Sequence, residues 1–482
     1  MTTERAPIRV SSAAALCIDL DGTLLKSDAL YESLLALLSR NPLYVFLLPF
    51  WLLKGKAALK DAIASRVDID ATTLPYDARV LALLETTAAR PRVLCTATNA
   101  RYAEAIAAHL GVFEQVIASD ANRNLSGHRK AAALVEAFGE RGFDYAGNAR
   151  VDLGVWARAR RALVVNGSDA LVAEAARVTQ VETHLPAESD KSALRLWIKQ
   201  LRIHQWLKNL LVFLPLLAAH RFTEVTDVTA AALAFLAFGL CASGVYVLND
   251  LLDLPSDRRH ARKRLRPFAA GRLPLLHGLI VAPLLTLAGF AIAWLASPLF
   301  ALVLLAYYAM TLAYSLRLKR VVMVDVVMLA GLYTVRIIGG AAAIHAELSF
   351  WLLAFSMFIF LSLAMLKRYT ELAEVLARGA SKASGRGYDV EDLAMIQSMG
   401  AASGYLAVLV FALYINSPES VALYRHPQAL WLICPMLLYW ISRAWMVAHR
   451  GGMHDDPVVF AVTDRVSQAV IVVCGLMVLG AI

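Results

Sequence analysis

Residues 249–272 read NDLLDLPSDRRHARKRLRPFAAGR and follow an apolar run over 228–248. If the helix of that run continues, Asn249, Asp253 and Asp257 fall at i, i+4 and i+8, with Asp250 alongside. The spacing predicts four oxygen-bearing side chains on one face, at the end of a membrane-crossing helix. Pro255 is able to kink or end that helix. Carboxylates at a membrane boundary are costly and point to function. The chemistry that suits them is Mg²⁺ bridged to a pyrophosphate; the alternative is an ordinary charged loop start. Arg258, Arg259, Arg262, Lys263, Arg264 and Arg266 follow at once. Cations in such a place bind phosphate or set membrane orientation, and both roles stay open.

Moving outward, the C-terminal part carries nine apolar segments, near 207–220, 228–248, 275–295, 298–316, 321–344, 349–366, 396–416, 428–448 and 457–482. Most reach the ~20 residues a bilayer span needs. Over the whole 482 residues, 59% are hydrophobic and 18% charged, which excludes a disordered chain and weighs against a purely soluble one. Lys and Arg concentrate in the connections after the second, fourth, sixth and eighth segments, so these are expected in the cytoplasm. An N-terminal domain on the same side and a C-terminus outside follow, in a multi-pass protein of the inner (cytoplasmic) membrane. The net charge of +9 fits anionic lipid or phosphate ligands. No basic-aromatic platform for nucleic acid is present. Five scattered cysteines lack metal spacing and read as buried thiols of a reducing compartment. Residues 1–30 show no signal peptide, because Asp19 and Asp21 interrupt the apolar run.

Residues 1–185 have a different texture. AALCIDLDGT (14–23), PRVLCTATN (91–99), FEQVIASD (113–120), FDYAGN (143–148) and RALVVNGS (161–168) are short apolar runs ending in polar turns, separated by helical stretches. That alternation predicts an α/β domain with a parallel sheet. Residues 186–193 read as a linker to a helical membrane domain over 194–482. At the end of the first strand, Asp19 and Asp21 can both face one ligand. One carboxylate can attack a phosphoryl group while the other handles the leaving-group proton, and both can approach Mg²⁺. Inside 24–90, LYVFLLPFWLL (43–53) precedes Lys54, Lys56 and Lys60. Eleven apolar residues cannot span a bilayer; a buried helix hairpin and interfacial docking on lipid both remain.

The stretch 14–166 resembles the haloacid dehalogenase (HAD) superfamily of phosphohydrolases. The resemblance implies a Rossmannoid domain with a helical cap over about 24–90. It makes Asp19 the nucleophile and Asp21 the general acid/base. Thr96, with Thr98 as competitor, would hold the phosphoryl group, and Lys130 would neutralise its charge. The last motif reads Gly147-Asn148-Ala149-Arg150-Val151-Asp152. Asn148 stands where an acid is usual, which removes a negative charge from a Mg²⁺ site shared with Asp152. An active phosphatase and a non-catalytic docking or regulatory domain both follow from this.

The second half resembles the UbiA superfamily of intramembrane prenyltransferases, whose first aspartate motif is NDxxDxxxD. Their second acidic motif is missing: the corresponding region reads KRYTEL (367–372), then Arg378 and Arg386. With RIHQWLKNLLVFLPL (202–216), YSLRLK (314–319) and YTVRIIGG (333–340), the chain is similar to the decaprenyl-phosphate phosphoribosyltransferases. That resemblance implies transfer of 5-phosphoribose from phosphoribosyl pyrophosphate to a polyprenyl phosphate. Mg²⁺ on Asp250, Asp253 and Asp257, oriented by Asn249, would hold the pyrophosphate. Lys208, Lys319, Arg336, Lys367 and Arg368 would join Arg258, Arg262, Lys263, Arg264 and Arg266 in binding substrate. The rival reading is a prenyltransferase joining a prenyl diphosphate to an aromatic acceptor. A transporter fits less well, since the acids lie at a helix end and not at mid-membrane. Prenyl length and oligomeric state are not set by the sequence.

Overall fold

The computed structural model describes residues 14–187, 193–379, 381, 386–453 and 456–482. Residues 1–13 of the expected leader-free start, and 188–192 of the expected linker, lie outside the described residues. Two compact units emerge: residues 1–200 with 247–281, and residues 201–246 with 282–482.

The first unit is built on six strands, β1 Ala15–Ile18, β2 Arg92–Asn99, β3 Gln115–Ser119, β4 Phe143–Gly147, β5 Arg161–Val165 and β6 Gln180–Leu185. All neighbours pair in parallel, in the order β3-β2-β1-β4-β5-β6. Period-two alternation makes β1 fully buried. Leu16 and Ile18 enter one core with Leu94, Ala103 and Ile106. Ala15 and Cys17 enter the opposite core with Val93, Leu134 and Trp156. Strand order reverses between β1 and β4, and the crevice at such a point is where open α/β sheets bind ligands. Asp19 and Asn148 follow those two strands directly. Between β1 and β2 lie helices Ala29–Arg40, Leu48–Leu53, Lys56–Ala64 and Ala78–Thr86, so the expected helical insertion is present.

The second unit is helical. Among the described residues, seven helices are long and apolar enough to cross a membrane: Val225–Leu252, Leu275–Ala296, Pro298–Leu316, Val324–Ala343, Phe350–Ala377, Val390–Ile415 and Pro427–His449. The first two extend into the first unit at 247–252 and 275–281. Nine spans were expected; by length and composition the described residues supply seven such helices, or eight if the pair Pro457–Thr463 and Arg465–Ala481 counts as one span. That pair bends by 74° because Thr463-Asp464-Arg465 is polar and Asp464 caps the second helix through the Ser467 N–H. The expected first span is a short apolar helix, Ile203–Ala218, whose Lys208 and Asn209 are turned inward. Gly340 allows Val324–Ala343 to lie directly on this segment: a Cβ there would sit 2.0 Å from the Val212 carbonyl oxygen. All five cysteines are free, four of them buried.

Candidate functional site

At the strand ends of the first unit, Asp19 and Asp21 have separate tasks. Asp19 Oδ1 accepts from the Lys130 ammonium at 2.8 Å, and Lys130 also donates to the Tyr145 hydroxyl at 2.8 Å. Tyr145 in turn donates to Asp152 Oδ1 at 3.2 Å. Burial works against the Lys130 charge, but Asp19 and Asp152 outweigh it and raise its pKa. Asp152 Oδ2 accepts the N–H groups of Asn148 and Ala149, each at 3.0 Å. Burial still pushes its carboxyl up to about 6, with Asp19 adding to the rise. Asp21 accepts from the Ala29 N–H and from the Thr98 hydroxyl, both at 2.7 Å. Burial, with Asp28 and Asp19 nearby, pushes Asp21 up to about 7. A carboxyl poised there can hold a proton at neutral pH.

Of the two threonines, Thr98 therefore touches Asp21, while Thr96 Oγ1 accepts the Thr98 N–H at 3.0 Å. Asn148 lies over Gly22, whose φ of +73° and lack of Cβ make room for it. Two further residues belong here, Tyr145, which the sequence reading passes over, and Lys60, which it places with Lys54 and Lys56 in interfacial docking. Tyr145 links Lys130 to Asp152, but inside a strand it reads as core. Lys60 reaches from Lys56–Ala64 to the Ala97 carbonyl at 2.5 Å and to Asn124 Oδ1 at 3.2 Å. It helps line a small cavity with Thr98, Asn99 and Tyr102, and burial lowers its pKa. Its ammonium is therefore bonded within the sheet domain, unlike the exposed Lys54 and Lys56.

The first unit also holds the aspartate motif. Helical hydrogen bonding continues past the break, from the Asp253 N–H to the Asn249 carbonyl and from the Asp257 N–H to the Asp253 carbonyl. Pro255 starts a new short helix, Leu254–Arg259. The side chains do not share one face as expected: Asp250 and Asp257 are buried while Asp253 is exposed. One guanidinium nitrogen of Arg266 donates to Asp250 Oδ1 at 3.0 Å and to Asp257 Oδ2 at 2.6 Å. Gln200 donates to the other Asp250 oxygen at 2.9 Å. Among the described residues, no three His, Cys, Asp or Glu side chains group as a metal ligand set. Yet two carboxylates converge on one cationic atom, and that donor chemistry fits a divalent cation.

The cations after the motif divide into two kinds. The Arg258 side chain is buried, donating to both oxygens of Glu32 at 2.6 and 3.0 Å and to the Ala269 carbonyl at 3.0 Å. Arg259 pairs with Asp70. Arg262, Lys263 and Arg264 are exposed.

In the second unit, Lys208 and Lys367 both pair with Asp456 Oδ2, the latter at 3.5 Å. Asp456 Oδ1 caps the helix starting at Pro457. The sequence signal for Asp456 was only an Asp-Pro helix start. Arg336 donates to Asn209 at 2.9 Å and to the Tyr307 hydroxyl at 3.0 Å. Arg368 is fully buried between Asp325, at 2.7 Å, and Glu371. Lys319 lies in a short turn whose carbonyl accepts from Arg386 at 3.4 Å.

Residues 210–463 match the UbiA prenyltransferase family. The chain is 37% identical to the uncharacterized protein y4nM of Sinorhizobium fredii, over 94% of this chain and 88% of that one. It is 38% identical to nodulation protein NoeC of Azorhizobium caulinodans, over 55% and 85%. It is 33% identical to decaprenyl-phosphate phosphoribosyltransferase of Mycobacterium tuberculosis, over 56% and 89%. The chain belongs to the UbiA prenyltransferase family, and its apolar helices make it a multi-pass membrane protein.

Proposed function

We propose that the chain transfers 5-phosphoribose from phosphoribosyl pyrophosphate to a polyprenyl phosphate. The observation that carries this reading is the convergence of Asp250 and Asp257 on one cation position. Lys208 and Lys367, which share Asp456, form a second, basic cluster that supports it, as does KRYTEL in the place of a second acidic motif. The relatives named as phosphoribosyltransferases agree with it. Asp250 and Asp257 would hold Mg²⁺, with Asp253 and Asn249 completing its surroundings. When bound, the ion supplies the charge that steadies a departing pyrophosphate. Lys208 and Lys367 offer ammonium N–H groups to phosphate oxygens. The lipid phosphate attacks as an anion, so no residue need remove a proton. The basic connections and the N-terminal domain face the cytoplasm of an inner membrane in this reading.

The N-terminal domain is proposed as a HAD-type phosphohydrolase acting on the 5-phosphate of that product. Asp19 attacks phosphorus, the bond from phosphorus to the ribose oxygen breaks, and Asp21 donates its proton to that oxygen. Water then cleaves the aspartyl phosphate while Asp21 takes a proton back. Lys130 balances the charge beside Asp19. Labelled phosphoribosyl pyrophosphate is incubated with polyprenyl phosphates and the full chain, and the lipid is analysed by mass spectrometry. Wild type is expected to give the dephosphorylated ribosyl lipid, and Asp19→Asn the 5-phosphorylated one at an unchanged transfer rate. Prenylation of an aromatic acid in place of ribosyl transfer would overturn the first reading. A wild-type product that keeps its phosphate would overturn the second.

A further inference from the structure

The apolar segment 43–53 is not a buried hairpin. It folds as a short turn, Pro42–Phe46, followed by the helix Leu48–Leu53, and neither contains a buried residue. Leu43, Val45, Phe46, Leu47, Phe50, Leu52 and Leu53 are all exposed, Phe46 by 69%, Phe50 by 63% and Leu53 by 85%. Seven large apolar side chains in eleven residues exceed the scattered surface hydrophobics of an ordinary soluble face. The segment is braced from behind: the Arg66 guanidinium lies 4.7 Å from the Trp51 ring, and the Tyr44 ring 6.1 Å from it. Its shape is therefore set before any partner arrives.

Charge and attachment identify the partner. No acidic residue occurs between Glu32 and Asp61, whereas Arg40, Lys54 and Lys56 flank the apolar side chains and are exposed. The unit that carries this arm also contains residues 247–281, where one apolar helix ends and the next begins. The sheet domain is fastened to that stretch by the buried Glu32–Arg258 pair. It also packs there through Gly271, which leaves no room for a Cβ beside Lys26 and Pro75. A body held to a membrane-boundary loop has a bilayer surface always at hand. Apolar side chains ringed by cations bind such a surface through buried area and attraction to anionic headgroups.

We propose that residues 43–53 are an interfacial arm that inserts into the surface of the chain's own bilayer. Phe46, Phe50 and Leu53 enter the acyl boundary, while Arg40, Lys54 and Lys56 meet anionic headgroups. Eleven residues are too few to cross, so the arm lies on the membrane. The proposal stands whether or not the phosphohydrolase reading does.

The test uses the full chain in phosphatidylcholine vesicles, with and without phosphatidylglycerol. A fluorophore is placed at Phe50→Cys, and at the exposed Glu140→Cys as reference, in a Cys474→Ser background. Nitroxide on the upper acyl chain should quench most of the Phe50 label and little of the Glu140 label. Aqueous iodide should do the reverse, and phosphatidylglycerol should strengthen the lipid quenching. A label at Leu53→Cys repeats the reading if Phe50→Cys does not express. Equal iodide quenching at both sites would overturn the proposal. So would protection from both quenchers that grows with protein concentration, because a second copy would then be the occupant.

Discussion

The first unit holds two pairs of carboxylates built on opposite plans. Asp19 and Asp21 stand at the end of a strand and are fixed by backbone N–H groups, Thr98 and Lys130. Asp250 and Asp257 stand at the end of a helix and are gathered by the long side chains of Arg266 and Gln200. A sheet edge at a topological switch point fixes its ligands through the backbone. A broken helix leaves that task to side chains, which can release the carboxylates to a metal ion. The strand site thus reads as preorganised and the helix site as exchangeable.

The largest expected effect lies at the helix site. Asp250→Ala and Asp257→Ala should each lower the proposed ribosyl transfer by about 100-fold or more, the scale of losing one electrostatic group at a reacting centre. Asp253→Ala should cost less, because Asp253 is exposed and lies outside the Arg266 grip. Transfer rates of the purified variants at saturating Mg²⁺ check this. Equal losses at all three positions would mean that the helix turns Asp253 inward on binding. Arg266→Gln sharpens the comparison: it should keep a folded protein while changing the Mg²⁺ concentration needed for half-maximal transfer.

These contrasts show what was legible in the sequence. The parallel sheet and the Asp19 and Asp21 pair at the end of its first strand were, because buried parallel strands write themselves as apolar runs ending in polar turns. The aspartate motif was visible too, but not which acids meet, since Pro255 resets the helix and turns Asp253 outward. Lys60 and Asp456 were illegible as site residues, because each is brought in by a contact more than thirty residues away in sequence, and Tyr145 was illegible because inside a strand it reads as core. Nine apolar segments did not become nine continuous helices. Hydropathy counts residues, whereas Thr463-Asp464-Arg465 breaks the backbone and Lys208 turns a segment inward. Arg258 was expected at substrate, and the structure shows it bonded to Glu32.

That ion pair gives the next effect in size. Glu32→Ala leaves Arg258 buried without its carboxylate, and breaking a buried pair from one side costs about 3–5 kcal/mol. Asp70→Ala removes the partner of Arg259, whose side chain is 66% exposed. Exposed pairs are worth about 0–1 kcal/mol. Denaturant unfolding followed by a reporter in the sheet domain should separate the two variants clearly. Similar midpoints would show that the Glu32 pair is no more sheltered than the Asp70 pair.

The smallest effect is a pH dependence of stability that belongs to the strand site. The Asp21 carboxyl is raised from 3.8 to about 7, first by burial and then by Asp28 and Asp19. The folded state therefore holds this proton more tightly than the unfolded chain does. Its contribution to stability is fully present below about pH 4 and is lost as pH rises towards 7. Asparagine at this position can accept the Ala29 N–H as Asp21 does, and the Thr98 hydroxyl can rotate to accept from its amide. It carries no charge to bury. In metal-free buffer, the melting temperature of Asp21→Asn minus that of wild type should climb between about pH 4 and pH 7 and then level off. A flat difference for Asp21→Asn would mean that water reaches this carboxylate, and the strand site would then lose the proton donor that the proposed hydrolysis requires at neutral pH.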